Sequence, residues 1–227
     1  MSSEEAPIIG SLNEKPLHAA LKKHVAGPDA SFEVPLDGFV IDVVDGDELV
    51  EIQTRSFGSL KRKLGLLTKD HKVRLVHPIA REKWIVKAGS KSPRRKSPKR
   101  GTVLDIFDEL TSIPQLMKQE NFSLHVVLTQ EEELRSYQPG KHWRKRGWRT
   151  EERRLLSVVE EYRFETPNDL NALLPDDLAE PFTTQTLAKG LEKPRAVAQK
   201  MAYCLKHMDA IEEVGKEARY ILYERRD

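Results

Sequence analysis

Apolar residues recur along this chain at two different spacings, and the changes from one to the other mark its elements. Leu17, Ala20, Leu21 and Val25 fall at helical intervals, which predicts a helix over about 15–25, ended by Gly27-Pro28-Asp29. Three runs with a period of two follow, near 31–36, 39–44 and 48–54. Ser56 can cap the next helix, to Leu67, whose Phe57, Leu60, Leu64 and Leu67 form an apolar stripe. Strands are predicted again at 73–77 and 83–87, the second containing Trp84. A helix over 103–109, a turn at Ser112-Ile113-Pro114, a short helix near 115–119 and a strand over 122–128 come next, and Thr129-Gln130-Glu131-Glu132 resembles a helix start. Leu155, Leu156, Val158 and Val159 predict a helix over 151–162. A short helix at 166–170, a helix capped by Thr183 or Thr184 and ended by Gly190, a third from Pro194 to His207, and a hairpin from 210–214 and 219–223 complete the chain. The class is mixed α/β (α+β).

The polar positions inside the strand runs carry the candidate chemistry. Phe39-Val40-Ile41-Asp42-Val43-Val44 and Leu49-Val50-Glu51-Ile52-Gln53-Thr54 are joined by a turn-like Asp45-Gly46-Asp47. Strand side chains alternate faces, so Val40, Asp42 and Val44 share one face, and Leu49, Glu51 and Gln53 share another. A hairpin would let Asp42, Glu51 and Gln53 converge, and two carboxylates with an amide oxygen suit a hard cation such as Mg2+ or Mn2+. Acids on the outer face of an ordinary hairpin give the same pattern. Against that plain reading, these acids sit within short apolar β-branched runs, where an unpaired charge is costly to bury.

Asp42, then Glu51-Ile52-Gln53, the helix-like 56–67 and the strand 73–77 together resemble the core of the PD-(D/E)XK nuclease superfamily, over roughly residues 12–87 and as far as 130. The resemblance implies a restriction-endonuclease-like core, a mixed central sheet flanked by helices in the order α-β-β-β-α-β. It implies a Mg2+-dependent (or Mn2+-dependent) endonuclease or exonuclease that hydrolyses phosphodiester bonds of DNA. By the same resemblance Asp42 and Glu51 are the metal-binding carboxylates and the catalytic acids. Gln53 stands where the superfamily usually has lysine; it carries no charge and cannot take a proton from water at neutral pH. Lys61 and Lys63 on the following helix are candidate sources of positive charge near a phosphate, although a solvated helix face is the ordinary place for both. A further metal ligand would be Glu33, favoured over Glu14 because Phe32, Val34 and Leu36 alternate with it.

Element order after residue 150 resembles a winged helix: two helices, then a hairpin. In that fold the second helix enters the major groove and the wing touches the backbone, which makes Arg195, Gln199 and Lys200 groove candidates and Lys216 the wing tip. Winged helices also serve as protein-interaction modules. The expected organisation is therefore a disordered tail at 1–11, a nuclease-like domain at 12–135, a basic tryptophan-containing linker at 136–149 and a winged-helix domain at 150–227.

Charge supports a polyanionic partner through its distribution. The formal net charge is only +2, from 38 Lys and Arg against 36 Asp and Glu in 227 residues. Residues 88–101 nevertheless hold six basic residues (among them Arg94, Arg95, Lys96, Lys99 and Arg100) and no acid. Such a loop needs a nearby polyanion to relieve its self-repulsion. Trp143 and Trp148 lie among Arg144, Lys145 and Arg146, a combination that stacks on bases and grips phosphates, or equally packs a junction between domains. One cysteine, Cys204, excludes an internal disulfide and suits a reducing cytoplasm, and neither a membrane-length apolar run nor a secretory signal is visible. The histidines and the lone cysteine do not build a zinc site, and no phosphate-binding glycine loop occurs. A homodimer could form. The alternative function is a catalytically inactive nuclease-fold protein that binds DNA or regulates, with Gln53 as its mark; an adaptor for other proteins is a third.

Overall fold

Pro16 sits in the first turn of helix α1 (Pro16–Val25), where its missing N–H leaves no hydrogen bond unmade, and Lys22, Lys23 and His24 lie at the negative end of the helix dipole. The computed structural model describes residues 14–89, 93–139 and 147–226, so the tail expected at 1–11 lies outside the described residues. Strands β1 (Ser31–Leu36), β2 (Phe39–Asp45) and β3 (Glu48–Ile52) form an antiparallel meander. Asp37 and Gly38 make the first turn at φ 50° and 78°, and Gly46 makes the second at φ 61°. The Ser56 hydroxyl accepts from the Gly58 amide at 3.4 Å and starts the turn into α2 (Lys61–Leu67). Helix α2 then carries the chain across the sheet to β4 (Lys72–Lys87), which lies parallel to β3. The two strands expected at 73–77 and 83–87 are thus one, with a register shift between Ala80 and Glu82.

Part of the basic 88–101 segment is a strand rather than loop: β5 (Arg95–Lys96) pairs with β4. Helix α3 (Ile106–Leu110) follows a capping box between Thr102 and Asp105. Strand β6 (Phe122–Tyr137) runs parallel to β4, and β7 (Trp148–Phe164) antiparallel to β6, giving the order β1-β2-β3-β4-β6-β7. Two sequence expectations are corrected here. Thr129–Glu132 continues β6 instead of starting a helix, and 151–162 is strand, not helix. The reason is local. Register shifts at Leu128/Thr129 and Gln130/Glu131 let Leu155 pair with Glu131 and Val158 with Thr129, on one face although three residues apart. Bulges thus imitate the helical spacing that the sequence displays. Residue 150, the expected domain boundary, lies inside this sheet strand.

Helices α4 (Thr184–Gly190) and α5 (Arg195–His207) and the hairpin β8 (Ile211–Glu217) and β9 (Tyr220–Arg225) follow in the expected order. Thr183 caps α4, its hydroxyl accepting from the Thr186 amide at 3.2 Å, and Phe182 bridges to Tyr223 beside the hairpin.

Apolar cores lie on both faces of the main sheet. On one face Leu17 and Leu21 of α1 pack on Val43, Val50, Ile52, Val76 and Val127. On the other, Phe57, Leu75, Phe107 and Phe122 form a core that continues without a break to Met201 and Leu205 of α5. Cys204 is buried there, and desolvation pushes its thiol pKa up to about 12. It should therefore resist a thiol reagent in the native protein and react only as the chain unfolds, which a denaturant series with a colorimetric disulfide reagent would show; rapid labelling of the native protein would contradict this packing. Among the described residues no helix is long and apolar enough to cross a membrane.

Candidate active site and the neighbouring cleft

The β2–β3 ladder closes from Asp45↔Glu48 to Val43↔Val50, and at the next position side chains replace the backbone pairing. Asp42 Oδ2 accepts the Ile52 amide at 2.8 Å and lies 3.2 Å from His18 Nε2 of α1. Burial alone would raise the Asp42 pKa, but His18 and that amide hold it below the ordinary aspartate value. His18, also bonded to Glu14 at 2.8 Å, is desolvated yet raised to about 8 by its two carboxylate neighbours. Glu51 is 3% exposed, with Lys63 Nζ of α2 at 2.5 Å from Oε1. That ammonium also donates to the Val40 carbonyl at 2.6 Å, so Glu51 shares its cation with a backbone oxygen. Burial, then the charge of Asp42, pushes the Glu51 pKa up to about 7 against the pull of Lys63.

The sequence thus places two of its three catalytic candidates side by side. Gln53 is occupied elsewhere: its Nε2 donates to Ser59 Oγ at 3.1 Å and its Oε1 accepts the Arg55 amide at 3.2 Å. Glu33 falls beside Asp42 in the β1–β2 register, at φ 53°, but its carboxylate pairs with Lys22, which also holds Glu14 at 2.9 Å. Among the described residues no three His, Cys, Asp or Glu side chains gather as a metal cage, so Glu33 does not join Asp42 and Glu51 as expected. Glu33, Asp42 and Glu51 form a row across three strands, answered by Lys22, His18 and Lys63. Lys61 is exposed, as a helix-surface lysine should be, whereas Lys63 turns inward.

Beyond β3 the longer strands β4, β6 and β7 run on as an arm, and an open cleft of about 1030 Å³ lies in the corner. Leu17, Arg55, His77, Lys83, Lys99 and Trp148 are among its lining residues. Asp42 and Glu51 do not line it; it begins at Thr54 and Arg55, directly after Gln53. Its wall holds buried charges that sequence reasoning missed. Glu131 is fully buried and takes Arg153 Nε at 2.7 Å and Nη2 at 2.8 Å, while Arg153 Nη1 reaches the Thr54 carbonyl at 3.2 Å. Glu133, despite its burial, is held at about pKa 2 by Arg135, Thr150 and Lys83. His77, desolvated and edge-on to Phe57, has its pKa lowered to about 4, and its Nδ1–H donates to the Gln53 carbonyl at 2.6 Å. The signal in the sequence was the period-two set Thr129, Glu131, Glu133, which reads as a strand face once the helix interpretation is dropped.

A family model described as Domain of unknown function (DUF8091) matches residues 15–165. The chain belongs to this family. A protein of Treponema pallidum (strain Nichols), named there as uncharacterized, is 33% identical over 185 residues, covering 80% of this chain and 74% of the relative. No solved structure matches. The DUF8091 match runs from α1 to the end of β7, so it takes in the acid row, the cleft and the arm, and stops before α4.

Within the DUF8091 region, the basic residues divide. Lys96 and Arg100 both pair with Glu82, at 2.7 and 3.1 Å, and Arg94 lies 3.6 Å from Glu132. Acids from β4 and β6 therefore answer three of the six cations of this segment. Arg94 and Lys96 also cover the Trp84 ring, at 5.4 and 5.1 Å from its centre. Arg95 is exposed and Lys99 lines the cleft. Trp148 packs on Tyr137 at 5.4 Å with Lys87 at 4.7 Å over its ring. Trp143, Arg144, Lys145 and Arg146 lie outside the described residues. Beyond the family match, Arg195 lies 5.2 Å over Tyr220, Gln199 and Lys216 are exposed, and Lys200 is tied to Asp108 of α3 at 2.8 Å. Lys200 remains exposed, and its pairing with Asp108 is a surface one.

Proposed function

We infer that this protein is a metal-dependent deoxyribonuclease, with Asp42 and Glu51 as its catalytic carboxylates and the C-terminal helix–helix–hairpin as a winged helix that helps hold DNA. The observation that carries the reading is one of connectivity. A helix, an antiparallel three-strand meander, a crossover helix and a fourth strand parallel to the third is the order expected of a restriction-endonuclease-like core, and the two acids fall where the second and third strands part. Fold alone does not establish activity; the acids must do so.

Their chemistry fits a divalent cation. The donors are hard oxygens, and the buried Glu51 carboxylate lies close enough to Asp42 for that second charge to raise its pKa. Mg2+ or Mn2+ held by Asp42 and Glu51 would supply charge for the phosphate and a more acidic water. Asp42, kept ionised by His18 and the Ile52 amide, is ready to bind; Glu51 must lose its proton first. Lys63 supplies the positive charge that Gln53 lacks, from the helix that follows. Arg55 and Lys99 can hold a backbone along the cleft, and Trp148 offers a face for a base. A reducing cytoplasmic setting belongs to the same proposal.

One observation favours the second reading, a binding or regulatory protein on an inactive nuclease fold: the Gln53 amide is already committed to Ser59 and Arg55. The deciding experiment is a matrix of Mg2+, Mn2+ and chelator against linear, nicked, branched and single-stranded DNA. Cleavage that needs a metal supports the nuclease; salt-sensitive DNA binding without cleavage under any condition supports the second reading. Lys63→Ala separates the roles further. It should reduce cleavage by about tenfold or more while leaving DNA affinity nearly unchanged, since its charge acts on Glu51 and the reacting phosphate. Equal loss of affinity and rate would make Lys63 a simple DNA contact.

A further inference from the structure

Among the described residues strand β7 ends the main sheet and pairs with β6 alone. Among the described residues its outer edge has no backbone partner along 149–164. Such an edge presents a row of free N–H and C=O groups and is a template for another strand. Charged side chains and bulges are the usual protection, and β7 has both. Yet the bulges turn two apolar side chains outward, leaving Leu156 44% and Val159 49% exposed.

The charges are also ordered. Residues 151–163 read Glu-Glu-Arg-Arg-Leu-Leu-Ser-Val-Val-Glu-Glu-Tyr-Arg. A second copy laid antiparallel about a two-fold axis at Ser157 puts Arg154 opposite Glu160, Arg153 opposite Glu161 and Glu151 opposite Arg163. The same operation puts Leu155 and Leu156 opposite Val159 and Val158. Every cross-strand charge pair is then of opposite sign, and each occurs twice by symmetry. A parallel, in-register copy would place Glu on Glu and Arg on Arg, so the pattern selects against open stacking of strands. Arg153 and Glu161 already have partners within the chain, Glu131 for the first and His24 and His125 for the second. Arg154 and Glu160 are bound only to surface neighbours, Glu152 and the Tyr162 hydroxyl, and are free to exchange them.

We propose that the outer edge of β7 is a homodimer interface, in which two copies of this chain join their sheets antiparallel about Ser157. The proposal does not depend on any catalytic reading.

Sedimentation velocity on the full chain over a wide concentration series should show a monomer–dimer equilibrium. Arg154→Glu and Glu160→Arg each turn two attractive pairs into two repulsive ones and should weaken association about tenfold or more. The double variant R154E/E160R restores opposite charges across the axis and should recover parental association to within about threefold. Ser157→Cys should form a covalent dimer under mild oxidation, because the axis brings its two copies together, whereas Asp70→Cys on a distant exposed turn should not. Circular dichroism on each variant checks that these surface changes leave the fold intact. A full chain that stays monomeric at every concentration overturns the proposal, including the case in which residues 1–13 cover the edge. So does a dimer that ignores the charge reversals, or one whose Ser157→Cys form fails to cross-link.

Discussion

Asp42→Asn and Glu51→Gln should each reduce Mg2+-dependent DNA cleavage by at least about a hundredfold, since either change removes an oxygen donor expected to supply several kcal/mol of charge stabilisation. Their effects on stability should have opposite signs, and that contrast separates an active-site pair from two structural acids. Glu51 titrates at about 7 in the folded chain against 4.5 for the free side chain. Its folded pKa is raised, so its contribution is fully favourable below about pH 4.5 and is lost as pH rises through about 7. At pH 8 the ionised Glu51 opposes folding by roughly 3 kcal/mol. Glu51→Gln removes that charge and should raise the thermal midpoint at pH 8 while changing little at pH 5.

Asp42 behaves in the other direction. Its folded pKa is depressed, so its contribution exists above the ordinary aspartate range and is lost as pH falls through the lowered folded value. His18, raised to about 8, contributes below its ordinary value of 6.5 and loses that contribution as pH climbs through 8. The pair therefore stabilises the fold between those limits, and Asp42→Asn should lower the midpoint at pH 6 with a smaller effect at pH 9. Thermal melts of the parent and both variants, with and without Mg2+, check all of this. Added Mg2+ should stabilise the parent at pH 8 and neither variant. Destabilisation by Glu51→Gln at both pH 5 and pH 8 would mark Glu51 as a counter-ion for Lys63 and nothing more.

Much of the first half of the molecule was legible because each element announces itself locally. Gly27-Pro28 stops α1, Gly38 and Gly46 make the turns between β1, β2 and β3, and Ser56 caps the entry to α2. Alternation also brought Asp42 and Glu51 together. What alternation could not give was the partner of each acid. His18 and Lys63 come from helices on opposite faces of the sheet, and their reach depends on how those helices dock. The second half was misread where bulges intervened. Leu155 and Val158 keep helical spacing inside a strand, and this one misreading also hid the acids of β6, because Glu131 has meaning only with Arg153 across from it. In the basic segment 88–101 the sequence could not show which cations are paired, because the acids that meet Arg94, Lys96 and Arg100, Glu82 and Glu132, lie outside it.

Arg153→Ala should be among the most destabilising single changes in the chain, by about 3–5 kcal/mol, because it leaves a carboxylate with no exposure and no counter-charge. Glu131 would keep only the Thr129 hydroxyl, at 2.7 Å. Chemical denaturation of the parent and the variant measures the cost, and a loss under about 1 kcal/mol would mean that water replaces the guanidinium. The double change Glu131→Leu with Arg153→Met removes both charges at similar volume and should recover most of the lost stability, since the penalty comes from the orphaned ion and not from the absence of the pair. It should not recover function. Arg153 also donates to the Thr54 carbonyl at 3.2 Å, just past Gln53, and so ties the arm to the end of the strand that carries Glu51. With that tie cut, the corner between β3 and the arm is free to shift. A refolded, stable double variant with impaired cleavage would show that the buried ion pair positions the acids. A double variant as active as the parent would reduce Arg153 to a structural role.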